Sequence, residues 1–168
     1  MAVILTEFAP RASGSYALCL RLEQSKRLRV GRLGVFDFPA GDYVYSGSAH
    51  GPGGLRRRLE RHLHPAGKLH WHIDALRAAA GVKAALFALE AVQDAAWMPL
   101  ECAWSQLLTR QPGALTPVAH FGSRDCRCGC PAHLVHFEAM PVVRLAEVLG
   151  QASAGVGYEI IMGKIILE

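Results

Sequence analysis

At 168 residues, with 51% apolar and 19% charged side chains, the chain fits one ordinary globular domain with a full core and excludes a disordered or low-complexity polymer. The net charge is only +4, yet Leu55 to His72 holds four arginines, Lys68 and one glutamate, so this segment carries the whole excess, together with His62, His64, His70 and His72. Such a patch suits a polyanion, nucleic acid first, and equally suits a solvated arginine-rich helix face.

The apolar start is broken by Glu7 and Pro10 and has no positive n-region, so no targeting signal is expected. No uncharged apolar run approaches the roughly 18 residues that a membrane span needs. A cytoplasmic protein away from membranes is expected, and five cysteines, an odd number, suit a reducing compartment better than a disulfide framework.

The elements read in chain order as α+β, with residues 1–13 as an N-terminal arm. From Ser15 to Leu22, Tyr16, Leu18, Leu20 and Leu22 alternate with Ala17, Cys19 and Arg21, the period of a half-buried strand. A polar turn from Glu23 to Arg27 leads to a second strand at Leu28 to Gly31. Val35 to Phe38 and Tyr43 to Ser46 are extended around the Pro39-Ala40-Gly41-Asp42 turn. These pieces predict a small three-stranded antiparallel sheet. After Gly51-Pro52-Gly53-Gly54, Leu55, Leu59 and Leu63 mark one face of a helix whose other flanks carry the arginines. Trp71 to Ala80 reads as a second helix, Val82 to Val92 as a strand and Leu100 to Thr109 as a third helix. His133 to Phe137 is a short strand, and Pro141 to Leu149 a helix with proline at its first position. Residues 14–150 thus form the domain, with a cysteine loop at 121–137. Residues 151–168 are a flexible linker followed by an apolar tail, a C-terminal extension whose role composition leaves open among docking strand, partner contact and poorly constrained tail.

Two tyrosines behind a cationic helix suit a phosphodiester. Its hydrolysis needs an in-line water, a base, a cation over the non-bridging oxygens and usually a metal. Arg58 and His62 stand four residues apart on one helix face, and Arg57 and Arg61 form a second such pair. Arg56, Arg57, Arg61 and His72 are the further expected nucleic-acid contacts. A phenol with an ordinary pKa near 10 is a weak base until a guanidinium or metal lowers it. Glu101, opening the third helix, suits a one-carboxylate magnesium site, and Glu90 competes for that role. Asp74 is expected to cap or pair with the basic helix, and Trp71 and Trp104 to be core. Cys126, Cys128 and Cys130 with His133 offer soft ligands for Zn2+; buried thiols at a loop edge or an exposed redox dithiol fit the same residues.

Taken in order, Gly14-Ser15-Tyr16, Tyr45-Ser46-Gly47-Ser48-Ala49, Arg58-Leu59-Glu60-Arg61-His62, a later histidine and a helix-borne glutamate resemble the GIY-YIG endonuclease domain. The resemblance implies a small three-stranded antiparallel sheet flanked by helices, and an active site of two tyrosines, an arginine and a glutamate holding one Mg2+ or Mn2+. On this chain those residues are Tyr16, Tyr45, Arg58 and Glu101, with Arg57 as the alternative arginine. His62 is similar to the family's first histidine, and His70 or His72 to its second. His70-Trp71-His72-Ile73-Asp74 and Phe121-Gly122-Ser123-Arg124-Asp125-Cys126-Arg127-Cys128 resemble a prokaryotic branch sometimes fused to an endonuclease III-type glycosylase, which implies a DNA-repair setting and a repair partner. Both motif centres are serine, Ser15 and Ser46, in place of isoleucine, and the chain contains no asparagine, the residue that often completes the family's site. The expected function is metal-dependent cleavage of DNA; the alternative is a non-catalytic nucleic-acid-binding module of the same fold.

Overall fold

The computed structural model describes residues 3–5, 9–64, 71–89, 98–155 and 162–166. Eight strands and four helices follow one another as β1 (Val3–Leu5), β2 (Gly14–Leu22), β3 (Lys26–Val30), β4 (Gly34–Phe38), β5 (Gly41–Ser48), α1 (Gly54–Leu63), α2 (His72–Arg77), β6 (Gly81–Leu89), α3 (Leu100–Thr109), β7 (Leu134–Phe137), α4 (Val142–Gly155) and β8 (Met162–Ile166). The class is α+β, as expected.

The sheet differs from the three-stranded expectation. Six strands run in the order β1-β8-β6-β2-β5-β7, while β3 and β4 form a separate hairpin. The four strands β6, β2, β5 and β7 are antiparallel throughout. Strand β2 is not half-buried: eight of its nine residues are buried, because both of its faces are covered. Tyr16, Leu18, Leu20 and Leu22 pack with Leu55, Leu59, Ile73 and Leu76 of α1 and α2 on one side. The small Ala17 and Cys19 face Trp104, Leu108, Leu145 and Leu149 of α3 and α4 on the other. Alternation of large and small apolar residues mimicked the apolar–polar alternation of a one-sided strand. Strand β3, by contrast, is Lys-Arg-Leu-Arg-Val with mostly exposed positions, so it has no apolar second face with which to enter the doubly covered sheet.

The expected linker starts as helix. Helix α4 continues through Gly155, with Ala152 and Ser153 buried. Ser153 Oγ accepts a hydrogen bond of 2.9 Å from the indole N–H of Trp104, which is core as expected. Small residues there permit close helix packing, a demand that composition does not distinguish from flexibility. The tail supplies β8, antiparallel to β6 and parallel to β1, so the N-terminal arm and the C-terminal extension close one edge of the sheet together. Among the described residues no helix is long and apolar enough to cross a membrane.

Candidate active site and adjoining metal-ligand cluster

The first turn of chemistry lies where β2 begins and β5 ends. Antiparallel register sets Tyr16 opposite Gly47 and Leu18 opposite Tyr45, so the two phenols are diagonal neighbours with ring centroids 6.3 Å apart. A Cβ on Gly47 would stand 2.6 Å from the Tyr16 hydroxyl, so only glycine leaves room for that ring. His62, buried on α1, brings its Nε2 to 2.9 Å from Tyr16 Oη. Its Nδ1 is buried and finds no partner among the described residues. Burial pushes the Tyr16 phenol well above its usual pKa, helped by Tyr45 and opposed by the Arg58 guanidinium. Burial likewise raises Tyr45 to about 12 and lowers His62 to about 4. The free protein therefore holds a neutral phenol against a neutral imidazole.

The basic helix divides its cations by face. Arg58 reaches the cleft, and its guanidinium carbon lies 4.4 Å from the centre of the Trp71 ring. Arg61 stacks on the same indole at 3.6 Å and pairs with Asp74 at 2.8 Å. Asp74 Oδ2 also accepts the Trp71 N–H at 3.0 Å, which matches its expected capping and pairing role. Trp71 is not core: it is half-buried and lines the cleft with both guanidiniums against its ring, a cation–π arrangement that fixes where Arg58 sits. Arg57 is exposed and lies outside the residues lining this cleft. Arg56 donates to the Ala9 carbonyl at 2.9 Å and so fastens the chain before β2 to the helix. His72 accepts the Gly122 N–H on Nδ1 at 3.2 Å and rests on Phe121, docking the 121–125 turn. His70 and Glu90 lie outside the described residues.

Across the sheet, the N-terminus of α3 supplies Glu101. Ser15 Oγ donates to its carboxylate at 3.2 Å, so the serine at the centre of the first motif orients this acid. Tyr16, Tyr45, Arg58, Trp71 and Glu101 line one cleft of about 640 Å3, with Asp125 and Arg127 of the cysteine loop forming part of its wall. Gly122, at φ +71°, lets that wall approach Tyr45: a Cβ there would stand 2.8 Å from the tyrosine ring. Glu101 thus presents to the cleft a carboxylate oriented by a hydroxyl, and Asp125 is the other acid among the lining residues.

Beside Glu101, Cys102 Sγ lies 3.5 Å from Cys126 Sγ and 3.8 Å from His133 Nε2. With Cys130 these groups offer four ligand atoms all within 4.8 Å of one another, a set that could hold a metal ion. The expected ligand Cys128 is not among them. Its backbone N–H instead donates to Cys126 Sγ at 3.4 Å, because Gly129, in a left-handed turn, carries the chain past it to Cys130.

Residues 15–153 match the family described as Domain of unknown function DUF123. The chain belongs to that family. The DUF123 stretch contains every residue that lines the cleft and all four members of the cysteine–histidine cluster. No curated protein and no solved structure matches the chain.

Two residues of this DUF123 domain escaped the sequence reading. Cys102 is far from the loop cysteines in sequence, and nothing at its own position sets it apart from a core thiol. Ser15 looked like a substituted motif position, and only the fold shows its hydroxyl against Glu101.

Proposed function

We propose that this protein is a metal-dependent endonuclease that hydrolyses DNA phosphodiesters, working in DNA repair, with the GIY-YIG-like residues in their matching roles. The single observation that carries this reading is convergence: Tyr16, Tyr45, Arg58 and Glu101, drawn from two strands and two helices, line one cleft. A phosphate seated there meets the Arg58 guanidinium, which neutralises a non-bridging oxygen and fixes the line of attack. Tyr16 Oη takes a proton from the attacking water while its own proton passes to His62 Nε2, provided that the imidazole is the tautomer with that nitrogen bare. The water oxygen bonds to phosphorus as the bond to the leaving oxygen breaks. Tyr16 is preferred to Tyr45 for this step because it has the hydrogen-bonded acceptor. Glu101, oriented by Ser15, would hold Mg2+ or Mn2+, which when bound supplies the charge that acidifies water and settles the leaving oxygen.

Incubating the purified chain with plain, nicked and branched DNA, with and without Mg2+ or Mn2+, tests the proposal. Metal-dependent nicking that is lost in Glu101→Gln is expected. Salt-sensitive binding without cleavage under either metal would overturn catalysis in favour of the binding module, and cleavage that survives Glu101→Gln would remove the metal assignment.

A further inference from the structure

We propose that Cys102, Cys126, Cys130 and His133 bind one structural Zn2+ that clamps α3 to the loop before β7. A tetrahedral zinc with bonds of about 2.3 Å to sulfur and 2.0 Å to nitrogen has ligand-to-ligand edges of roughly 3.5 to 3.8 Å. In that geometry a sulfur–sulfur edge is about 3.8 Å and a sulfur–nitrogen edge about 3.5 Å, and the distances of 3.5 Å and 3.8 Å at Cys102 lie close enough to these for small side-chain shifts to complete the site. Three thiolates and one imidazole fill all four positions of such a site, the mark of a structural centre with no place left for a substrate. Soft thiolates select zinc over the magnesium-type cation proposed at Glu101.

Groups around the cluster suit bound thiolates. The Cys128 N–H points at Cys126 Sγ, and Gln106, one turn beyond Cys102, reaches Cys130 Sγ at 3.9 Å while donating to the Cys128 carbonyl at 2.9 Å. Donors aimed at ligand sulfurs, and a side chain holding the loop that bears them, are the outer contacts a metal centre uses to fix its ligands. Binding would release the three thiol protons and leave three zinc–sulfur bonds and one zinc–nitrogen bond.

The position of the cluster gives the clamp a consequence. Cys102 directly follows Glu101, and Cys126 directly follows Asp125, the two acids of the cleft. One ion would thus tie together the two segments that carry them, which the fold otherwise joins through Ser105 and Gln106 contacts to the loop.

Zinc content of the purified full chain, measured by atomic emission, should be one per chain, and Cys128→Ser should keep it. Reconstitution with Co2+ should give the intense visible bands and thiolate charge transfer of a tetrahedral sulfur-rich site. Cys102→Ser should lower metal affinity at least about 100-fold, and chelation of the native protein should lower its Tm. A native chain that carries no zinc and gives only a weak octahedral cobalt spectrum overturns the proposal whether or not any variant folds. Metal lost in Cys128→Ser but kept in Cys102→Ser overturns the ligand set. The centre stands apart from the nuclease reading, since Glu101→Gln should abolish cleavage and still retain zinc.

Discussion

The Tyr16 hydroxyl and the His62 imidazole, 46 residues apart in sequence, meet at 2.9 Å inside a doubly covered sheet and a helix packed on it. Burial disfavours the charged form of both, so the free protein stores no phenolate; in the proposed reaction the pair passes a proton only when a phosphate and a metal enter the cleft. Tyr16→Phe keeps the ring and removes the relay. Cleavage should fall by about 100-fold or more while DNA affinity stays within about twofold, as gel-based nicking and fluorescence anisotropy would measure. Full activity in this variant would exclude Tyr16 from the proton path.

Stability should also report His62. Its pKa is depressed to about 4 in the folded chain against about 6.5 unfolded, so between these values the unfolded chain binds the proton and the folded chain does not. Stability is therefore full above about pH 6.5 and declines as pH falls toward 4, by at most about 3 kcal/mol from this residue. His72, also lowered by burial, acts in the same direction. Denaturant melts at stepped pH should show the decline, and His62→Gln should flatten it relative to the native chain. An unchanged slope in that variant would mean that His62 is protonated in the fold.

Most elements were legible because each has a local signature: the Leu55, Leu59 and Leu63 face of α1, the glycine punctuation before it, and the Leu100 to Thr109 span of α3, which the structure reproduces. Strand pairing was not, because β2 joins β5 and β6 across long stretches of chain, and the lack of a second apolar face in Lys26–Val30 excludes that strand only once both faces of the sheet are known to be covered. The same limit applies to the cleft. Tyr16, Tyr45, Arg58 and Glu101 were readable as types in an order, whereas Trp71, which carries two guanidiniums against its ring, was indistinguishable from a core indole until its neighbours were in place. Cys102 displaced Cys128 from the metal-ligand set for the same reason: ligand geometry is tertiary, and spacing within one loop does not encode it.

Arg57 and Arg58 are adjacent in sequence but a helix sends them in different directions. Arg58 faces the cleft over Trp71; Arg57 is exposed beside Gly53. Arg58→Ala should reduce cleavage by about 100- to 1000-fold, the usual effect of removing one group that stabilises transition-state charge. Arg57→Ala should change cleavage less than about fivefold and only lessen the salt dependence of binding. Equal losses in the two variants, measured at one salt concentration, would break the distinction that the geometry draws.

Gly47 offers the most selective test of the tyrosine geometry, because it carries no side chain to participate in chemistry. An added Cβ would lie 2.6 Å from Tyr16 Oη and 2.7 Å from the adjoining ring carbon, so the phenol that contacts His62 would have to shift. The sheet leaves the ring no room to retreat, since Tyr16 is 3% exposed and also packs against Tyr45 and His62. Gly47→Ala should therefore cost stability by about 1 to 3 kcal/mol, as overpacking does, and reduce cleavage about as much as Tyr16→Phe. Combining the two substitutions separates the effects: if the glycine acts only by seating the phenol, the double variant should cleave no more slowly than Tyr16→Phe alone. A further loss in the double variant, with folding verified by circular dichroism, would show that Gly47 does something besides making room for Tyr16.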